Sequence, residues 1–303
     1  MVKQAPDSYA DATKPGISAR QGDPILHGLN FLSSTWNGTG WGRPASNIWL
    51  TAYVLSRLAE LDHSVFDHAL GQKIQASCDW LLASRMPEGH WNDLSTIAHV
   101  VSALKSLGQD PGLAALQYVE HSASMAGRNG TSEWNVIGAA LAVKATGKAL
   151  PASCEAVGAA LEPEGDLSQL WLCAEVLDWP HEVVPPALAA RVRAILDQMG
   201  EDSADRITLL RCLLRLGRSR AWEVAAELKS EQLSDGSWHE PGLIDQITAT
   251  FGPQELRLSD EDKKVLITAS AIAALAIGQA QPGLYFGSHE PAPRRLRVVK
   301  VTR

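Results

Sequence analysis

The sequence predicts an all-α chain of paired helices closed into an (α/α)6 barrel, and three observations lead there. A phrase of helix, Gly-Trp turn and second helix recurs along the chain, and a period of this length marks a repeat architecture. The first helix of each pair carries charge on one face, whereas the second is apolar almost all round, as a helix buried on every side should be. Gly108, Gly147, Gly200, Gly217 and Gly278 stand just past expected helix ends, where a left-handed residue is wanted. Charged outer helices around apolar inner ones make two concentric rings. An open solenoid of the same hairpins is the structural alternative, because repetition does not require closure.

The elements follow in order. Residues 1–21, opening "MVKQAPDSYADATKPG", are polar and have no apolar h-region, so they read as a flexible lead and not as a signal peptide. In the first unit "NFLSSTWNGTGWG" leads into "NIWLTAYVLSRLAEL"; in the second "DWLLASRMPEGHWND" leads into "STIAHVVSALKSLG". Three weaker units fill the middle, from "LAALQYVEHSAS" to "DRITLLRCLLRLG". The sixth pairs "ELKSEQLSDGSWHEP" with "VLITASAIAALAIG" across the stretch from Glu240 to Asp262, the longest break in the repeat and a candidate lid. No linker divides residues 22–280, which read as one domain. The tail, 281–303, ends in "RRLRVVKVTR"; it is either a solubilising end or edge strand, or a contact for an acidic partner or a membrane surface.

Composition narrows the function classes. An apolar fraction of 45% and a charged fraction of 20% are those of a globular protein, and no apolar run reaches the roughly 18 residues of a spanning helix. A soluble, cytoplasmic protein is expected. A net charge of −7 argues against nucleic acid, which needs a basic face. Cys78, Cys154, Cys173 and Cys212 stand singly, without a C-x-x-C pair or a His at ligand spacing, and read as buried thiols. No metal and no cofactor is expected.

Residues Gln232 to Trp238 read Q-L-S-D-G-S-W, Arg85 to Trp91 read R-M-P-E-G-H-W, and Trp36 to Trp41 is a looser copy. This resembles the QW repeat of squalene-hopene cyclases and related prenyltransferases, over nearly the whole barrel and most fully in the second and sixth units. The resemblance implies a structural clamp in which Gly permits the turn and the Trp ring stacks near the Gln or Arg. Trp41, Trp91 and Trp238 are therefore structural. It also implies an isoprenoid cyclase of the second class, which binds a hydrophobic chain in the barrel and starts cyclisation by protonation from an acid at the start of an inner helix. The family's D-x-D-D is absent; in "WNDLSTIAHVVSAL" Thr96 fits the pattern and Asp93 is the acid. The Asp-rich magnesium motifs and the Asp, Cys and His zinc set of relatives are absent too.

Each turn delivers the start of an inner helix to one mouth, the default pocket. That mouth holds Arg43 and Asn47; Asn92, Asp93 and Ser95; Arg128, Glu133 and Asn135; Asp166, Ser168 and Gln169; Asp205 and Arg206; and the loop before the twelfth helix. Asp93 is either a helix cap or a general acid with a carboxyl tuned by burial. His99 is either its partner or a satisfied core histidine. Trp49 and Tyr53 at i, i+4, with Trp134 and Trp171, would stabilise a cation or pack the core. Arg43, Arg128 and Arg206, added to helix N-termini, suit a phosphate or carboxylate head group. The leading expectation is an isoprenoid cyclase-like enzyme, an isomerase or lyase, acting on a hydrophobic or isoprenoid small molecule. The alternatives are a non-catalytic ligand- or protein-binding barrel of the same lineage, and a lyase or isomerase for a small anionic substrate.

Overall fold

The computed structural model of the chain describes residues 22–91, 93–125, 146, 170, 174, 186–198, 206–217, 220–240 and 258–280. Within them every regular element is helical. Helix α1 (Pro24–Thr35) begins on Asp23, whose carboxylate accepts the Ile25 amide at 2.9 Å, with Pro24 at the first position, where its missing N–H is no loss. Asn47 caps α2 (Ile48–Leu58), and Asp67 caps α3 (His68–Ala83) after a short 3-10 turn, His63–Val65. Then come α4 (Leu94–Ser106), α5 (Leu113–Met125), α6 (Pro186–Gln198), α7 (Arg206–Arg215), α8 (Ala221–Ser230) and α9 (Asp260–Ala280).

Two kinds of helix are present, as the charge pattern implied. Nine of the eleven residues of α2 are buried, and α7 is buried continuously from Ile207 to Leu214. Helix α3 buries only Leu70, Ile74, Ser77, Cys78 and Leu81, and α8 only Ala221, Val224, Ala225 and Leu228, one stripe at helical spacing. The inner helices lie side by side in the order α7, α9, α2, α4. Three outer helices also sit on the inner helix of the preceding hairpin: α3 on α2, α5 on α4 and α8 on α7. Helix α1 packs likewise on α9.

The turns repeat this relation in atomic detail. Met86 N–H donates to His90 O at 2.8 Å and Gly89 N–H to Met86 O at 2.9 Å; Leu233 N–H donates to Ser237 O at 2.8 Å and Gly236 N–H to Leu233 O at 2.9 Å. Gly89 and Gly236 have φ of 87° and 88°, a region open to glycine at little cost. The Trp91 and Trp238 indoles donate to the carbonyls of Leu81 and Leu228, each ten residues back, at 3.0 and 2.7 Å, and Trp41 reaches Leu32 O at 2.9 Å. Each ring is at most 1% exposed. It therefore buries a large apolar surface while giving a last-turn carbonyl a second hydrogen bond, beside the one from Ser84 N–H, Glu231 N–H or Thr35 Oγ1. The polar residues of the turns bond backbone. Gln232 donates to Gly236 O and to Pro24 O, both at 2.9 Å, and Arg85 donates to Leu82 O at 3.0 Å and Pro111 O at 3.4 Å. Arg85 thus ties the second turn to the approach of α5, and Gln232 ties the last turn to the start of α1.

Some expectations change. Gly108 and Gly217 are left-handed at helix ends, with φ of 75° and 65°. Gly278 is not a cap, because α9 runs on to Ala280; an inner helix with packing on all sides has no need to stop there. Helix α9 also starts at Asp260, ahead of its apolar run. Ser259 Oγ accepts the Asp262 amide at 3.2 Å and Asp262 Oδ2 accepts the Ser259 amide at 3.2 Å, a reciprocal capping box. Gly147, Gly200, the third and fourth hairpins in large part, and residues 241–257 of the expected lid from Glu240 to Asp262 lie outside the described residues. No helix among those described is long and apolar enough to cross a membrane.

Candidate functional site

Helices α2 and α9 begin at the same end of the molecule, since the Arg43 amide donates to Asp262 Oδ2 at 3.4 Å. The loop into α2 is fixed by Asn37, whose Oδ1 accepts Ser46 Oγ–H at 2.6 Å and whose Nδ2 donates to Gly42 O at 2.8 Å. Gly42 has φ of 127°, and a Cβ there would stand 2.6 Å from the Asn47 nitrogen, so only glycine fits. Between this loop and the start of α9 lies an open cleft of about 700 Å³, lined by Thr35, Trp36, Asn37, Gly42, Arg43, Pro44 and Ser259. The Trp36 indole N–H donates to Ser77 Oγ at 2.9 Å, and the Lys73 ammonium stands 5.7 Å from the ring centre. The Arg43 guanidinium meets Glu261 at 3.5 Å, with both side chains more than half exposed, a geometry that holds the Arg side chain only weakly.

The structure separates the other residues singled out from the sequence. Asp93 is the N-cap of α4: Oδ1 accepts the Thr96 amide at 2.9 Å and Oδ2 accepts the Thr96 hydroxyl at 2.6 Å. His99 is six positions further on, which at 1.5 Å per residue is about 9 Å along the axis. Its ring stands edge-on to Trp49 at 5.3 Å and Tyr53 at 5.6 Å, and those two stack on each other at 5.4 Å. All three are buried between α2 and α4, and the Tyr53 hydroxyl bonds Ser270 Oγ of α9 at 2.7 Å. Arg206 turns to the outer ring, with Glu227 at 3.0 Å and Glu231 at 2.8 Å; the Glu227 hydrogen bond holds its guanidinium above the ordinary arginine range. Arg128, Trp134 and Trp171 lie outside the described residues.

Sequence reasoning passed over a buried ionic cluster between the far end of α2 and the middle of α7. Arg57 meets Glu60 at 2.7 Å and Arg211 meets it at 3.3 Å, with the Arg57 guanidinium 4.9 Å from the Tyr53 ring centre. Burial alone would raise the Glu60 carboxyl, but Arg211, Arg57 and Arg215 overcome it and hold the group down at about 2. The signal was visible: an arginine in the middle of "ITLLRCLLR" needs a carboxylate from elsewhere, because a buried charge left alone is costly.

Residues 26–115 match the family model of the A-macroglobulin TED domain. The match runs from α1 to the start of α5 and covers fewer than a third of the chain's residues. No curated protein and no solved structure matches the chain. The TED domain is α/α-barrel-like but belongs to a family distinct from terpene cyclases and prenyltransferases. This overturns the expected kinship with squalene-hopene cyclases, and with it the expected isoprenoid cyclisation and the binding barrel of that lineage. The likeness of the Gly-Trp turns has a plain physical cause: a buried indole that closes a helix end answers the same packing problem in any ring of helical hairpins. TED domains are thioester-containing, and Cys78 is the cysteine of the matched stretch. It is 1% exposed, and burial, with the Asp79 charge beside it, pushes its thiol up to about 12.

Proposed function

We propose that the chain is a TED-like helical recognition domain that takes its ligand in the cleft between the first and last hairpins. The cleft carries this reading. Its volume lies within the few hundred to 1,000 Å³ usual for ligand sites, and it combines an aromatic wall, Trp36, a rigid Pro44 and a loosely held cation, Arg43. Its walls come from the loop into α2 and from the start of α9, so the site depends on those two helices lying side by side. We further propose that the body, residues 22–280, is a ring of six hairpins; the packing of α1 on α9, and of the last turn on the start of α1, supports closure. The buried Trp49, Tyr53 and His99 then belong to the inner wall of the ring, and Asp93 holds the start of α4.

Crystals soaked with a fragment library of small carboxylic acids, amides and aromatic compounds test the reading. Fragments should gather in the cleft against Trp36, and Trp36→Ala should empty it while leaving the fold intact. Fragments that bind elsewhere and leave this cleft empty refute it.

A further inference from the structure

A thioester joins a cysteine sulfur to an acyl carbon, so the sulfur must meet a carbonyl partner and an attacking nucleophile must reach the bond between them. Among the described residues Cys78 meets neither condition. It lies on the buried stripe of α3 between Ile74 and Leu81, in the same apolar core. The side-chain carbonyl groups nearest to it in sequence on the helix, those of Gln75 and Asp79, are exposed, and Gln75 Nε2 donates to Asp79 Oδ1 at 2.9 Å. Gln75 Oε1 also accepts from Gln109 at 3.3 Å. Sulfur and carbonyl groups therefore face different surroundings, core and solvent.

We infer that the TED-like segment keeps Cys78 as a free core thiol and forms no acyl bond there, so that any recognition through this segment is reversible. The term recognition rests on the function proposed above; the state of the sulfur does not. Burial, which keeps the thiol protonated at neutral pH, also works against its acting as a nucleophile.

Alkylation mapping tests the inference on the whole chain. Iodoacetamide is applied to native and to guanidinium-unfolded protein, each with and without prior methylamine, and the Cys78 peptide is read by mass spectrometry. The expected result is no label in the folded protein and complete label after unfolding, the same with and without methylamine. The inference is overturned if Cys78 resists label after unfolding until methylamine has acted. The amine nitrogen would then have formed an amide with the acyl carbon, the carbon–sulfur bond would have broken, and the amine proton would have passed to the released thiolate. Rapid labelling of folded protein also overturns it, since the sulfur would then be accessible. An empty cleft in the fragment soak would refute the recognition reading and leave the Cys78 result standing, so the two failures are distinguishable.

Discussion

Gly236→Ala probes whether the last hairpin is seated on the first. The residue has φ of 88°, and an added Cβ would stand 2.4 Å from the carbonyl oxygen of His27 in α1. Two costs follow. The left-handed backbone costs an L-residue about 1–2 kcal/mol, and the overlap costs about 1–3 kcal/mol more, because the obstacle is helix backbone and cannot swing aside. Gly108→Ala isolates the first cost: that residue has φ of 75° and nothing within 4 Å of its Cβ position. The gain from stiffening the unfolded chain is common to both variants and cancels in the difference. Urea denaturation at equal slope should show Gly236→Ala less stable than Gly108→Ala by about 1–3 kcal/mol. Hydrogen exchange should show protection lost along α1 in Gly236→Ala only. Equal losses, within about 0.5 kcal/mol, with α1 protection unchanged, would refute the seating of the last turn on α1.

Two further outcomes are expected. The Glu60 carboxyl is held far below its ordinary 4.5, so its stabilising effect is present above about 4.5 and lost as pH falls toward 2. Denaturation midpoints between pH 6 and 2.5 should fall less steeply in Glu60→Gln, and parallel curves would show that the cluster contributes nothing to acid stability. Asp93→Ala should lower stability by about 1 kcal/mol and Asp93→Asn by a few tenths, the pattern of an N-cap; equal stability of all three proteins would remove the capping role.

Among the described residues the sequence by itself determined the helices and which of them are buried all round, since both follow from periodicity that the residues report locally. "IWLTAYVLSRL" is apolar on nearly every face and has to be surrounded, whereas the α3 segment has one apolar stripe and has to lie outside. The Gly-Trp turns were legible for the same reason, because the left-handed glycine and the tryptophan stand within three residues of each other. Kinship was not legible from them, since a turn that solves a general packing problem carries little family information. Only the tertiary structure decided what depends on residues far apart in the chain. Arg43 meets Glu261, Gln232 meets Pro24 and Arg211 meets Glu60, across separations that no local pattern encodes. The cleft exists because α9 returns to the start of α2, and Arg206 leaves the mouth because Glu227 of α8 and Glu231 just past its end draw it outward. Cys78 has the same neighbours in sequence whichever way it faces; the packing of α3 against the core is what closes its sulfur to chemistry.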